Sequence, residues 1–166
     1  MFLLITTFIL SCSLSHAKSS KVVYGSDNRI ELEGSSKAHL GKSIAAMVSH
    51  YSLFDEGDGY SSFMVPLLTT YREKSTCEEL RFRDQPTLSD CSGFLIDTDL
   101  LVTAGHCVLE SGQYANRTYT GQCSQNYWVF NYNKSAFKDE EVRFSYDDVY
   151  QCERVMDGAF VHNKDY

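Results

Sequence analysis

Beyond its first residues the chain shows no long helical period; its apolar positions gather in short runs broken by polar and turn-forming residues. Two such runs, Ser92-Gly93-Phe94-Leu95-Ile96 and Leu100-Leu101-Val102-Thr103, are partly β-branched, and the intervening Asp97-Thr98-Asp99 has turn composition. They predict two strands joined by a tight turn and packed as a buried hairpin. Tyr127 to Tyr132, Val142 to Tyr146 and Val149 to Val155 are rich in aromatic and β-branched residues, which suit a pleated surface. Ser43 to Val48 is too short for periodicity to choose between a strand and a helical turn. Asp55 to Gly59 reads as a solvated turn, since it lacks the ligand order and closing glutamate of a calcium loop. The glycine-containing polar stretch from Ser111 to Gln125 reads as a long surface connection. With two prolines and no internal repeat, the pattern predicts a mainly β chain.

The amino terminus is different. Residues 1–17 run from an apolar stretch into small residues at Ser15 and Ala17, the pattern of an export signal cleaved after Ala17. The apolar run before Ser13 is shorter than the roughly 20 residues a helix needs to cross a bilayer, so no stable membrane span is expected. Ile9-Leu10-Ser11-Cys12 loosely resembles a bacterial lipoprotein site, which leaves lipid attachment at Cys12 as an alternative to cleavage. Lys18 to Asn28 is polar and reads as a surface arm. The expected location is secreted or periplasmic.

Composition narrows the partners. A net charge of -7 offers no basic patch to hold phosphates, which argues against nucleic acid as a partner. Past the signal lie five cysteines, Cys77, Cys91, Cys107, Cys123 and Cys152, in a chain expected where disulfides form and persist. Their odd number leaves one thiol unpaired or joined to a partner outside this sequence. No C-x-x-C occurs, and His106 beside Cys107 lacks a second ligand pair at zinc spacing, so no metal site is expected.

Candidate chemistry centres on Leu100-Leu101-Val102-Thr103-Ala104-Gly105-His106-Cys107. A histidine closing an apolar strand is by itself an ordinary structural residue, and His39, His50 and His162 read that way. The setting of His106 is distinctive: Val102-Thr103-Ala104-Gly105-His106-Cys107 resembles, at all six positions, the histidine motif of the chymotrypsin and trypsin-like serine peptidases. An imidazole so placed can take a proton from a serine hydroxyl and return it to a leaving amine near neutral pH. The strand ending at Thr103 fixes the backbone, and small Ala104 and Gly105 leave room for the ring and a substrate. The resemblance implies a disulfide between Cys91 and Cys107 that brackets the histidine; Cys77, Cys123 and Cys152 cannot be paired from spacing.

It also implies an orienting carboxylate on the far ring nitrogen. In this family that aspartate precedes an aromatic residue at the start of an apolar strand, and Lys164-Asp165-Tyr166 looks like the beginning of that element. Asp165 is therefore the candidate orienter, with Asp157 in V-M-D-G-A-F as its rival; Asp147 and Asp148 read as loop charges. No G-D-S-G-like segment follows His106, and Ser111, Ser124, Ser135 and Ser145 stand in the wrong contexts, so no catalytic serine is assigned. Lys21 to Arg29 looks like the amino-terminal region of bacterial glutamyl-endopeptidase-like members.

The resemblance thus implies an all-β domain over residues 18–166: the six-stranded N-terminal β-barrel of a chymotrypsin-like double-barrel fold. The second barrel is expected to be absent, because such pairs take roughly 200 to 250 residues. A long extension or insertion at about residues 18–90 accounts for the distance from Lys21 to His106. The implied function is a secreted serine endopeptidase acting on protein or peptide substrates without a cofactor, present here as the His and Asp half. The alternative is a non-catalytic secreted pseudopeptidase or binding β module.

Overall fold

The strand that organises the fold is β1 (Ile44–Ser49), in which Ala45, Ala46, Met47 and Val48 are all buried in succession. Burial on both faces erases the alternation that marks a one-sided strand, which is why periodicity cannot distinguish it from a helical turn. The computed structural model describes residues 26–166 except 53, 56, 58, 65–80, 83–84, 139–140 and 163. The expected export signal, the start of the polar arm, Cys12 and Cys77 lie outside the described residues. The chain divides into a unit of residues 1–30 and a unit of residues 31–166. In the first, the Asp27 carboxylate pairs with the Arg29 guanidinium at 2.8 Å; all that follows concerns the second.

After β1 come β2 (Phe54–Asp55), β3 (Tyr60–Met64), β4 (Cys91–Leu95), β5 (Leu101–Thr103) and the single helical turn α1 (Gly105–Val108). Next are β6 (Gln113–Thr118), the short helix α2 (Gly121–Gln125), β7 (Asn126–Phe130), β8 (Phe137–Lys138) and β9 (Glu141–Ser145). The described chain closes with β10 (Val149–Gln151), β11 (Val155–Val161) and β12 (Lys164–Asp165). These strands form a five-stranded sheet in the order β10-β7-β1-β4-β5, a four-stranded sheet β2-β3-β9-β8 and a three-stranded sheet β12-β11-β6. The chain is mainly β, and no described helix is long and apolar enough to cross a membrane.

Because β1 is central, its alternate side chains feed two cores. Ala46 and Val48 join Val129, Val142 and Phe144 on one face, bringing β9 of the four-stranded sheet against the five-stranded one. Tyr132 stacks on Phe144 with ring centroids 5.9 Å apart, and its hydroxyl accepts from the Leu88 N–H and donates to the Pro86 carbonyl. Burial pushes that phenol's pKa above its ordinary 10.0. On the other face Ala45 and Met47 pack with Trp128 and Cys107. A third cluster of Leu109, Ala115, Cys123 and Val155 fills the space beneath the three-stranded sheet.

Three expectations change. The hairpin of β4 and β5 forms, with Gly93 opposite Thr103 and Phe94 opposite Val102, but it is not buried. Phe94 and Ile96 are 51% and 58% exposed, because β5 is the sheet's edge and only alternate positions such as Gly93 face inward. The stretch from Ser111 to Gln125 is not a plain surface connection: it contains β6, paired along β11, and α2. Thr120 explains the helix, since its hydroxyl oxygen accepts the Cys123 N–H while its proton goes to the Val108 carbonyl. The run from Val149 to Val155 is two strands in different sheets, parted where Cys152 is joined to Cys123. At Asp55 to Gly59 the expected turn is present: Gly57 has φ +74°, and its N–H donates to the Asp55 carboxylate at 2.8 Å.

Phe144 is 2% exposed and spans the sheets through Tyr132. Phe144→Ala is expected to cost about 3–5 kcal/mol, measured by urea unfolding of the oxidised protein; a loss below about 1 kcal/mol contradicts this packing.

Candidate active site

His106 stands on α1, which begins directly after β5. Ala104 is still extended, at φ -70° and ψ 146°, and the Leu109 N–H closes the turn on the Gly105 carbonyl at 2.9 Å. A turn this short has little stability alone, and covalent and core contacts hold it. Cys107, 4% exposed, packs against Met47 and Trp128. Its sulfur is joined to Cys91, the first residue of β4, across a Cα–Cα distance of 6.1 Å. The Thr103 hydroxyl adds a cross-strand bond to the Ser92 carbonyl at 2.8 Å.

Asp165 arrives from the other end of the chain. β12 pairs with β11 so that Phe160 faces Asp165. One residue further, Ala159 and Tyr166 exchange both main-chain hydrogen bonds, at 2.6 and 3.0 Å. This pairing delivers one carboxylate to two donors on a single residue. Oδ2 lies 2.7 Å from His106 Nδ1, and Oδ1 accepts the His106 backbone N–H at 2.7 Å.

The His106 ring bond is the main reason the Asp165 carboxyl sits below its ordinary 3.8; the His106 N–H adds to it and desolvation opposes it. An ionised carboxylate only accepts, so it places the proton of a neutral imidazole on Nδ1 and leaves the Nε2 lone pair free. Phe160 meets the ring edge-on, with centroids 6.0 Å apart. The His106 and Asp165 side chains are 49% and 42% exposed, so water and salt screen their attraction.

Two glycines allow the elements to meet. A Cβ on Gly105 would lie 2.2 Å from the Ala159 carbonyl oxygen and 2.9 Å from that of Tyr166. A Cβ on Gly158 would lie 2.9 Å from the same Tyr166 oxygen. Gly105 belongs to the histidine motif, whereas Gly158 gives no sign of its importance until the pairing of β11 with the end of the chain is known. Phe160 is likewise visible only through that pairing.

The structure brings His106 together with Asp165, Cys91 and Cys107, but not with Asp157. That carboxylate lies on β11 opposite Asn116 and accepts the Gly158 N–H. His50 meets the Tyr51 ring at a tilt, with centroids 4.0 Å apart, His39 lies in a 3-10 turn after the arm, and His162 lies in the turn between β11 and β12. Ser124 and Ser135 donate to acceptors in their own turns, and Ser145 accepts the Asp147 N–H. Ser111 is exposed just before β6. Among the described residues no serine hydroxyl is hydrogen-bonded to His106.

A family model for trypsin matches residues 72–156. The matched span contains Cys91, His106 and Cys107 and ends before Asp165; Lys21 to Arg29, which carry the glutamyl-endopeptidase likeness, lie outside it. No curated protein and no solved structure matches the chain. With just over half of its 166 residues inside that span, and with its β architecture, the chain belongs to the chymotrypsin and trypsin-like serine peptidase family.

Proposed function

We propose that the chain carries the proton-transfer half of an exported serine endopeptidase, with His106 as general base and then acid and Asp165 as its orienter. The observation that carries this reading is the pair of hydrogen bonds from the ring and the backbone N–H of His106 to the Asp165 carboxylate. Nε2 takes the proton of a serine hydroxyl as its oxygen attacks the scissile carbonyl. The imidazolium then protonates the departing amine, giving an acyl-enzyme that water hydrolyses by the same relay. Asp165 holds the tautomer and offsets the imidazolium charge. In this reading the nucleophile is a serine outside residues 1–166, residues 1–17 are an export signal and the disulfides suit an oxidising compartment. The family implies protein or peptide substrates and requires no metal or organic cofactor.

The test is labelling of the natural secreted product with a fluorophosphonate. The expected result is covalent labelling that His106→Ala abolishes; a folded product that stays unlabelled overturns the reading in favour of a binding module. Mass spectrometry of the mature amino terminus checks export: it should begin at Lys18, and a lipid on Cys12 contradicts cleavage after Ala17.

Asp165→Asn is expected to lower kcat by about 10,000-fold, the loss seen when a triad carboxylate is replaced by an amide. Steady-state kinetics on a peptide ester or amide checks it. Gly158→Ala, which pushes on the Tyr166 carbonyl without touching His106, should cost about 1–3 kcal/mol of stability and lower kcat more than it raises KM.

The proton linkage has a definite sign. The Asp165 carboxyl sits below 3.8 in the folded chain, so its contribution to stability is complete above the ordinary carboxylate range and is lost as pH falls through the folded value. The carboxyl carbon, followed by NMR, should titrate below 3.8 and move upward in His106→Ala or at about 1 M salt, where the Debye length is about 3 Å. A titration unaffected by both changes contradicts the pairing.

A further inference from the structure

Asn116-Arg117-Thr118 fits the N-x-[ST] pattern of an N-linked sugar acceptor. It lies on β6, the outer strand of the three-stranded sheet. Ala115 is buried with Leu109 and Val155, so alternation along the strand turns Asn116 the other way, and it is exposed. Among the described residues the Asn116 carboxamide has no hydrogen-bond partner. Arg117 stands at φ 51°, a left-handed turn that brings the Thr118 hydroxyl back onto the Asn116 backbone. There it accepts the N–H at 3.4 Å and donates to the carbonyl at 3.3 Å. The same alternation puts Tyr114 on the face of Asn116, two residues and thus roughly 7 Å away along the strand. Tyr114 is 63% exposed. The chain's other sequon, Asn133-Lys134-Ser135, differs on both counts. The Asn133 side chain accepts the Ser135 N–H and hydroxyl, and the residue two before it is Asn131, which offers no ring.

We propose that Asn116 is an N-glycosylation site and that the first sugar of its glycan packs on the Tyr114 ring. The donor is an oligosaccharide carried on a polyprenyl diphosphate, used by a transferase of the export pathway. The Asn116 carboxamide nitrogen attacks C1 of the first sugar. The C1–N bond forms as the C1–O bond breaks, the diphosphate leaves with the electron pair, and the amide proton passes to a base of the transferase. Transfer acts on the chain as it is exported; the fold decides where the attached sugar goes. The C–H face of a pyranose is apolar and suits an aromatic face, whose negative quadrupole meets the C–H hydrogens. A glycan seated there also covers the open edge of β6, where an exposed strand flanked by Tyr114 and Tyr119 otherwise offers itself for pairing with another chain. The attachment rests on the export part of the proposed function and is independent of the peptidase part.

The test is mass spectrometry of peptides from the natural secreted product, with electron-transfer fragmentation, which leaves a sugar on its residue. A glycan should be found on Asn116. Thr118→Ala, which keeps the asparagine, should abolish it, and Thr118→Ser should retain it. The packing on Tyr114 is read by a double-mutant cycle. Tyr114→Ala should lower Tm by about 2–4 °C more in the glycosylated chain than in the bare Asn116→Gln chain.

A bare Asn116 in a product that begins at Lys18 overturns the site while export stands. A product that keeps residues 1–17 with Asn116 bare overturns both. A glycan on Asn133 with Asn116 bare overturns the choice of acceptor, and equal losses from Tyr114→Ala in the two chains overturn the packing. Fluorophosphonate labelling is read on a separate sample, so failure of the peptidase reading leaves the glycan result standing.

Discussion

The two oxygens of the Asp165 carboxylate are both spent on His106, one on the ring and one on the backbone N–H. A single contact to the imidazole would leave the ring free to swing with its helical turn; the second fixes the carboxylate against the peptide from which the ring hangs. Orientation and charge therefore come from the same group. That group is placed by main-chain pairing of β11 with β12 and Tyr166, 59 positions along the chain from His106. The pairing depends on the closeness that Gly105 and Gly158 permit, and so the geometry of the His106–Asp165 pair comes down to two positions without side chains.

Behind this grip stands the two-sided burial of β1. Ala46 and Val48 bind the five-stranded sheet to β9, while Ala45 and Met47 reach Cys107 and Trp128 under the candidate site. Small residues at Ala45 and Ala46 let both layers approach the same strand. The two disulfides then hold what packing alone would leave loose, since α1 is one turn long and α2 is five residues. Short helices with little intrinsic stability are kept in place by covalent bonds and neighbours rather than by propensity.

How far this was legible in the residues follows from whether the cause is local. The β4 and β5 hairpin and its turn are written in consecutive positions, and the run from Val102 to Cys107 points at His106 without any knowledge of the fold. Asp165 needed the resemblance, and three residues of context left Asp157 as a rival; only the β11 and β12 pairing separates them in space. The partnership of Cys123 with Cys152 and the close approach at Gly158 are long-range facts with no periodic trace. The stretch containing β6 and α2 reads as a loop because Ala115 and Cys123 are its only buried residues. Phe94 and Ile96 look like core because an apolar run does not reveal that β5 is an edge.

His106 and Cys107 are consecutive residues of one turn, the first open to solvent and the second tied to β4 and sunk among Met47 and Trp128. No lever arm separates the interior from the exposed ring. Looseness introduced at Trp128 reaches the imidazole through the adjacent residue, so the interior there works as a bearing for the ring. The few side chains that seat Cys107 therefore govern where the imidazole stands, although none of them meets it.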